Sequence, residues 1–196
     1  LTFNEKRLEG AIYTPHYIID SILKKSFDYT KLKNNSVFLD PACGSGAFLI
    51  NIIKTLLNKK FKFEFIVKNM IYGLDINDQA IFNSKILIEL YSLELSNPIS
   101  SNILNIYKFD FITNNENIIL KKLGLKKKID FICSNPPYIK LQNIDDKIRN
   151  DLKKRYSLYF KGSFSTSLCF IIQSLKILSK EGTLGFITQN NLFNSF

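Results

Sequence analysis

Five short apolar segments recur along the chain, and each is followed by a turn or by a stretch with helical spacing. They occupy residues 36–39, 70–74, 103–107, 129–133 and 183–188. Short apolar runs bounded by turn residues are typical of buried strands, and strands that alternate with helices pair in parallel. The pattern therefore predicts an α/β fold of three layers, in which helices cover both faces of a mostly parallel sheet.

The fourth apolar segment ends in Asn135-Pro136-Pro137-Tyr138. In a parallel sheet this tetrapeptide would lie at the carboxyl edge, where ligands bind. The prolines lack an N–H group, Asn135 carries an amide oxygen and Tyr138 an aromatic face. An exocyclic amino group could donate its hydrogens to Asn135 and to the Pro136 carbonyl while its ring stacks on Tyr138. A rigid turn that merely ends the strand also explains these residues.

A glycine loop follows the first apolar segment, with the sequence Asp40-Pro41-Ala42-Cys43-Gly44-Ser45-Gly46 ahead of a helical stretch from Ala47 to Leu57. A dinucleotide-binding loop would need a third glycine where Leu49 stands, so a pyrophosphate is a poor fit. A tight turn that begins with an acid better suits a ligand with a cationic or zwitterionic end, such as S-adenosylmethionine. Simple packing of helix on sheet is the alternative.

The next two apolar segments also end in acidic residues. Asp75-Ile76 closes the second, where a carboxylate can accept from both hydroxyls of a ribose. Asp110-Phe111 follows the third and offers a carboxylate to the adenine amino group and a ring to the adenine face. A helix-capping Asp75 and a core Phe111 are the alternatives.

A further motif near the N-terminus, Gly10–Pro15, ends in Thr14-Pro15 directly before an amphipathic segment. Thr14 is predicted to cap a helix with Pro15 at its first position. The free amides of such a helix N-terminus attract a carboxylate, here that of the methionine moiety. Capping alone explains the same residues.

Taken in order, four of these motifs make the chain similar to the gamma class of DNA adenine-N6 methyltransferases, which includes the modification parts of restriction-modification enzymes. The matching stretches are Gly10–Pro15, Asp40–Gly46, Leu74-Asp75 and Asn135–Tyr138. The resemblance implies a Rossmann-like methyltransferase fold, S-adenosylmethionine as methyl donor and a target adenine flipped out of double-stranded DNA. It implies Asn135, Pro136 and Tyr138 as catalytic residues.

Two departures from the family pattern stand out. The chain reads Ser163–Ser167 where the family often has an acidic residue that opens a helix. It also reaches Phe196 soon after the fifth apolar segment, where the family fold continues. We therefore expect residues 1–196 to be one catalytic domain, truncated at its C-terminus and without a target recognition domain.

The composition fits a polyanionic partner. The net charge is +10, and basic clusters lie at Lys121-Lys122, Lys126–Lys128 and Lys153–Arg155. The third cluster is the preferred DNA contact because it closely follows the catalytic loop. A lysine-rich surface encoded by an AT-rich genome is the alternative. The three cysteines are widely spaced and indicate neither a disulfide framework nor a metal site. We expect a bacterial cytoplasmic protein without a membrane span.

Three other functions remain open. A protein-glutamine N5-methyltransferase also carries Asn-Pro-Pro-Tyr, because its substrate is likewise an NH2 group. An RNA base methyltransferase is disfavoured, since no RNA-binding module is visible. A non-catalytic domain that only binds the cofactor is a third possibility. Cytosine-C5 chemistry is excluded for this loop, which lacks a nucleophilic cysteine.

Overall fold

The computed structural model describes residues 14–160 and 164–188. Within these ranges the strands are β1 Phe38–Asp40, β2 Ile71–Asp75, β3 Ile106–Lys108, β4 Ile129–Ser134 and β5 Leu178–Phe186. The α-helices are α1 His16–Ser26, α2 Ala47–Asn58, α3 Phe63–Asn69, α4 Asp78–Glu94, α5 Glu116–Lys122, α6 Asp146–Tyr156 and α7 Thr166–Ile177. Short 3-10 turns lie at Tyr29–Lys31, Ser101–Ile103 and Leu141–Asn143.

The strands form one sheet in the order β3-β2-β1-β4-β5, and every neighbouring pair is parallel. This confirms the predicted parallel sheet. The central strand β1 continues along the chain into β2 on one side and is paired with β4 on the other. The chain therefore reverses its winding direction between β1 and β4, which is where open α/β sheets bind ligands.

Two apolar clusters cover the two faces of the sheet. Phe38 packs with α1 to α4, whereas its neighbours Val37 and Leu39 pack with α5 to α7. This alternation follows from the period of two in a strand, because successive side chains point to opposite faces. The three layers are therefore helices, sheet and helices, as the sequence predicted.

Strand β5 begins earlier than the predicted residue 183. Leu178 pairs with Ile129, but the next pair joins Thr183 to Phe131, so β5 contains an irregularity between these pairs. Gly182 lies there, and a Cβ on it would come within 2.8 Å of the Leu178 side chain. The regular part of β5 therefore starts where the sequence pattern placed it.

Within residues 14–160 and 164–188, no helix is long and apolar enough to cross a membrane. The same ranges contain no cluster of three or more His, Cys, Asp or Glu side chains arranged to hold a metal ion. All three cysteines are free and buried. Burial raises the pKa of Cys43 and Cys133 well above the usual value of a thiol, so both side chains stay protonated.

Candidate cofactor and substrate site

The carboxyl ends of β1, β2 and β4 meet at one edge of the sheet. This edge brings together the glycine loop after β1, Asp75 at the end of β2 and Asn135 after β4. The motifs that the sequence singled out are thus neighbours in space, although they are far apart along the chain.

The glycine loop depends on two left-handed residues, Gly44 at φ 51° and Gly46 at φ 91°. The Cys43 amide donates to the Leu74 carbonyl at 2.9 Å, which ties the loop to β2. A Cβ on Gly46 would lie 3.0 Å from the Ser84 Cβ, whereas one on Gly44 would meet nothing within 4 Å. Gly46 therefore packs closely on α4, while the loop surface at Gly44 is open to a ligand.

The Asp75 carboxylate lies beside this loop. One oxygen accepts from the Gly44 amide and the other from the Asn77 amide, each at 2.9 Å. A carboxylate has about four acceptor sites, so both oxygens keep capacity for ligand hydroxyls. The next side chain, Ile76, is 67% exposed at the same edge and offers an apolar surface. Asn77 caps α4 by accepting from the Ala80 amide at 3.1 Å.

Asp40 is 1% exposed, unlike the other acids of this edge. Its Oδ1 accepts from the Ser134 hydroxyl at 2.6 Å and from the Ala42 amide at 3.1 Å. Burial raises its pKa to about 7, although these two hydrogen bonds oppose the rise. Asp40 thus joins the end of β1 to the end of β4 rather than facing a ligand directly.

Ser134 also lies at this edge, although the sequence motifs did not predict it. It is fully buried, and its hydroxyl links the strand that carries Asn135 to the glycine loop through Asp40. A serine at the end of an otherwise apolar strand, directly before Asn135, was the available signal.

Asn135 is held at both ends of its amide. Its Nδ2 donates to the Thr14 hydroxyl at 2.9 Å, and its Oδ1 accepts from the Tyr138 hydroxyl at 2.5 Å. The Tyr138 hydroxyl also lies 2.7 Å from the Ile187 carbonyl oxygen. Burial raises the pKa of Tyr138 to about 12, so the hydroxyl keeps its proton.

The predicted cap of the first helix is wrong. Helix α1 begins at His16, its N-cap is Pro15, and no side chain caps it. The Thr14 hydroxyl accepts from Asn135 instead. The predicted contact of Thr14 and Pro15 with the cofactor carboxylate stays a prediction, and residues Gly10–Tyr13 of the motif lie outside the described ranges.

Asp110, the acidic residue after β3, accepts hydrogen bonds from the backbone of its own turn. Asp110 Oδ1 accepts from the Ile112 and Thr113 amides at 3.2 and 3.3 Å. Phe111 is 1% exposed and stacks on Phe170 with 5.6 Å between ring centroids. This position favours the core alternative for Phe111, because its ring is already packed. The adenine contact of Asp110 stays a prediction.

The basic clusters differ in position. Lys127 precedes β4 at the opposite, amino edge of the sheet, and its ammonium pairs with Asp130 at 2.7 Å. Lys153–Arg155 lies in the last turn of α6. The next residue, Tyr156, donates to the Ile112 carbonyl in the loop that leaves β3 at the carboxyl edge. The third cluster is therefore tied to the edge that carries Asn135.

The sheet, its crossover point and the loops gathered at its carboxyl edge define a Rossmann-like methyltransferase, a class that uses S-adenosylmethionine. The residues fit that cofactor, since an open left-handed glycine loop adjoins a carboxylate with spare acceptor capacity and an exposed apolar side chain. The chain belongs to the Eco57I restriction-modification methylase family, which matches residues 69–196. This membership confirms the resemblance recognised in the sequence.

Among similar proteins, the Type II methyltransferase M.VspI of Vibrio sp. (strain 343) is 34% identical over 195 residues, which are 99% of this chain. The chain spans 40% of the length of that relative. The fold matches a chain of the DrdV–DNA complex, solved by cryo-electron microscopy, with a TM-score of 0.73 and 18% identity. That match covers 95% of this chain and 21% of the other.

A different methyltransferase also matches. The release factor glutamine methyltransferase of Flavobacterium psychrophilum (strain ATCC 49511 / DSM 21280 / CIP 103535 / JIP02/86) is 26% identical over 130 residues. The match covers 66% of this chain and 35% of that protein.

Proposed function

We propose that this chain is the methyl-transferring domain of a DNA methyltransferase, and that it methylates the N6 amino group of adenine. The observation that carries the proposal is the placement of the Asn135 amide at the crossover edge of the sheet, beside the cofactor loop. Membership of a restriction-modification methylase family supports DNA as the substrate.

Two acceptors at this edge suit an NH2 group. Among described residues, no hydrogen bond reaches the Pro136 carbonyl. The Asn135 Oδ1 is contacted by the Tyr138 hydroxyl, which also lies within hydrogen-bond distance of the Ile187 carbonyl oxygen. This hydroxyl has one proton, so it can donate to only one of the two oxygens at a time. When an amine donates to Asn135, Tyr138 can donate to the Ile187 carbonyl alone. The two substrate hydrogens would then go to Asn135 and to Pro136.

These hydrogen bonds would activate a weak nucleophile. The lone pair of the adenine amine is delocalised into its ring, and two acceptors favour a more tetrahedral nitrogen that can attack in line. S-adenosylmethionine supplies an electrophilic methyl group with a neutral thioether as leaving group. The methylated nitrogen can lose its extra proton after the transfer, so a strong base is not required. Asp75 would hold the ribose hydroxyls and Ile76 one face of the adenine of the cofactor.

The target base has to leave the helix before it can reach Asn135. Stacking on the Tyr138 ring would offset the unstacking cost of a few kcal/mol. The net charge of +10 suits double-stranded DNA as the partner. Lys153–Arg155 is the basic cluster that is tied to the carboxyl edge of the sheet, where Asn135 lies.

Substitution of Asn135 tests the chemistry. In the full-length protein that carries this domain, Asn135→Ala should lower methyl transfer at least about a hundredfold and leave the affinity for S-adenosylmethionine nearly unchanged. The control Asn69→Ala removes an exposed amide before β2 that donates to the Phe65 carbonyl. Radiolabelled methyl transfer and mass spectrometry of the digested DNA measure rate and product. Unchanged methylation in Asn135→Ala, or a product other than N6-methyladenine, would contradict the proposal.

Salt dependence tests the DNA contact. Replacing Lys153 and Lys154 by alanine should reduce the slope of log K against log salt by about 0.9 for each phosphate that is no longer neutralised. Lys127→Ala, which removes an ammonium paired with Asp130 at the amino edge, should leave the slope unchanged. Fluorescence anisotropy with duplex DNA, repeated at several salt concentrations, measures the slope for each protein. Equal slopes in all proteins would show that the α6 cluster does not contact phosphate.

The similarity to a release factor glutamine methyltransferase keeps glutamine as a second candidate acceptor. Its side-chain amide is also an NH2 group on a planar centre, so Asn135 and Pro136 could bind it in the same way. Assays with a glutamine-containing release factor and with duplex DNA separate the two. Transfer to the protein alone would replace adenine as the acceptor.

A further inference from the structure

The catalytic loop, residues 135–139, is held by threonine hydroxyls from two other parts of the chain. Thr14 is 6% exposed and precedes α1; it accepts from Asn135 Nδ2 at 2.9 Å, across 121 positions of sequence. The contact fixes which end of the amide faces Tyr138. A buried donor left without a partner is unfavourable, so this hydrogen bond resists rotation of the amide.

Thr166 holds the backbone of the same loop. It is the first residue of α7 and is 4% exposed. Its hydroxyl donates to the Pro137 carbonyl at 2.5 Å and accepts from the Ile139 amide at 3.2 Å. Its own amide donates to the Ile139 carbonyl at 2.9 Å. Thr166 lies in the segment 163–167, where the family often has an acidic residue and this chain has serines and a threonine.

The two threonines hold different parts of the loop. Pro136 and Pro137 have no N–H with which to anchor the chain, so the backbone of this part of the loop can be held only through its carbonyls. Thr166 engages the Pro137 carbonyl. The Pro136 carbonyl has no hydrogen-bond partner among the described residues. Thr14 orients the side chain of Asn135, the residue before Pro136.

We propose that Thr14 and Thr166 are positioning residues for methyl transfer, which hold the Asn135 amide and the Pro136 carbonyl in the geometry that receives a substrate NH2. The proposal rests on the proposed function of this site. It assigns to Thr14 a role in orienting Asn135 in place of helix capping. Neither threonine touches the reacting atoms, so each acts through the loop.

Paired substitutions separate positioning from folding. Thr14→Val and Thr166→Val keep the shape and remove the hydroxyl, whereas Thr14→Ser and Thr166→Ser keep it. Thr55→Val is the matched control, because the Thr55 hydroxyl donates to the Asn51 carbonyl within α2 at 2.9 Å, away from the loop. Each protein, at full length, is assayed for kcat, for KM and for S-adenosylmethionine affinity by calorimetry, with a thermal melt.

We expect each valine variant at the loop to lower kcat roughly tenfold, with cofactor affinity changed less than about twofold, and each serine variant to restore most of the rate. Thr55→Val should keep the wild-type kcat even if its melting temperature falls equally. Should Thr166→Val fail to fold, Thr14→Val decides, since it alters only a side-chain contact.

Wild-type kcat in both folded valine variants, or serine variants as slow as valine variants, would overturn the proposal. Weaker cofactor binding with unchanged kcat in Thr14→Val would instead assign that residue to the cofactor site. A wild-type enzyme that modifies glutamine but not DNA would refute the proposed acceptor. The same variants, measured on that reaction, would still test the positioning role, because both acceptors present an NH2 group.

Discussion

Asp40 makes the stability of this domain depend on pH in a direction opposite to that of most carboxylates. Its side chain is buried at the end of β1, and burial raises its pKa from the ordinary value of 3.8 to about 7. Asp40→Asn should remove this dependence. Asparagine can keep Oδ1 as acceptor for the Ser134 hydroxyl and the Ala42 amide, and its Nδ2 replaces the protonated oxygen.

The sign follows from proton binding. Between pH 3.8 and about 7, the folded protein keeps the proton on Asp40 while the unfolded chain has lost it. The unfolding free energy therefore falls as pH rises through this window, and it becomes constant above the folded pKa. A change from 3.8 to about 7 corresponds to a loss on the order of 4 kcal/mol, at about 1.36 kcal/mol per pH unit.

Urea unfolding of wild type and Asp40→Asn, followed by circular dichroism from pH 4 to pH 8, measures the effect as a difference between the two proteins. Asp40→Asn should gain stability relative to wild type across this range. Asp28→Asn is the control, since hydrogen bonds from Thr30 lower the pKa of that exposed carboxyl below its ordinary value of 3.8. Its contribution is lost only below the measured range, so the difference between wild type and Asp28→Asn should stay constant from pH 4 to pH 8. A difference between wild type and Asp40→Asn that does not vary with pH would refute the reasoning.

Two further predictions concern the cofactor loop. Gly46→Ala should destabilise the domain by about 2–4 kcal/mol in thermal or urea unfolding, because φ is 91° and the new Cβ would lie 3.0 Å from that of Ser84. Gly44→Ala, at φ 51° with open space around it, should cost only about 1–2 kcal/mol, and equal losses would show that the close approach is unimportant. Asp75→Ala should weaken S-adenosylmethionine binding roughly ten- to hundredfold by calorimetry, through loss of hydrogen bonds to a charged acceptor. Unaltered affinity would remove Asp75 from the cofactor site.

The regular elements were predictable because local rules determine them. Helix α2 begins at Ala47 as expected, since two glycines before it permit a left-handed turn. The third strand was placed at residues 103–107 but occupies Ile106–Lys108. A 3-10 turn takes up Ser101–Ile103 instead. An apolar run of that length does not distinguish a short strand from a turn that packs on the core.

The site was predictable only in part. Strand-end acids and the Asn-Pro-Pro-Tyr loop follow from the rule that parallel strands gather their carboxyl ends. The partner of Asn135 did not follow, because Thr14 reaches it through tertiary packing and capping was the simpler local explanation. Phe111 shows the same limit, since an aromatic residue after a strand can face a ligand or the core, and here it packs on Phe170.

The hydrogen bonds that shape the loop at residues 135–139 join distant parts of the chain, and this has a consequence for biosynthesis. Asp40 is 94 positions from Ser134, and Thr14 is 121 positions from Asn135. Pro137 needs Thr166, which is 29 positions further on. Contacts of such long range form late, because loop closure precedes any stabilising interaction. We therefore expect a nascent chain on the ribosome to be unable to transfer a methyl group until α7 has emerged, however early its glycine loop becomes ordered.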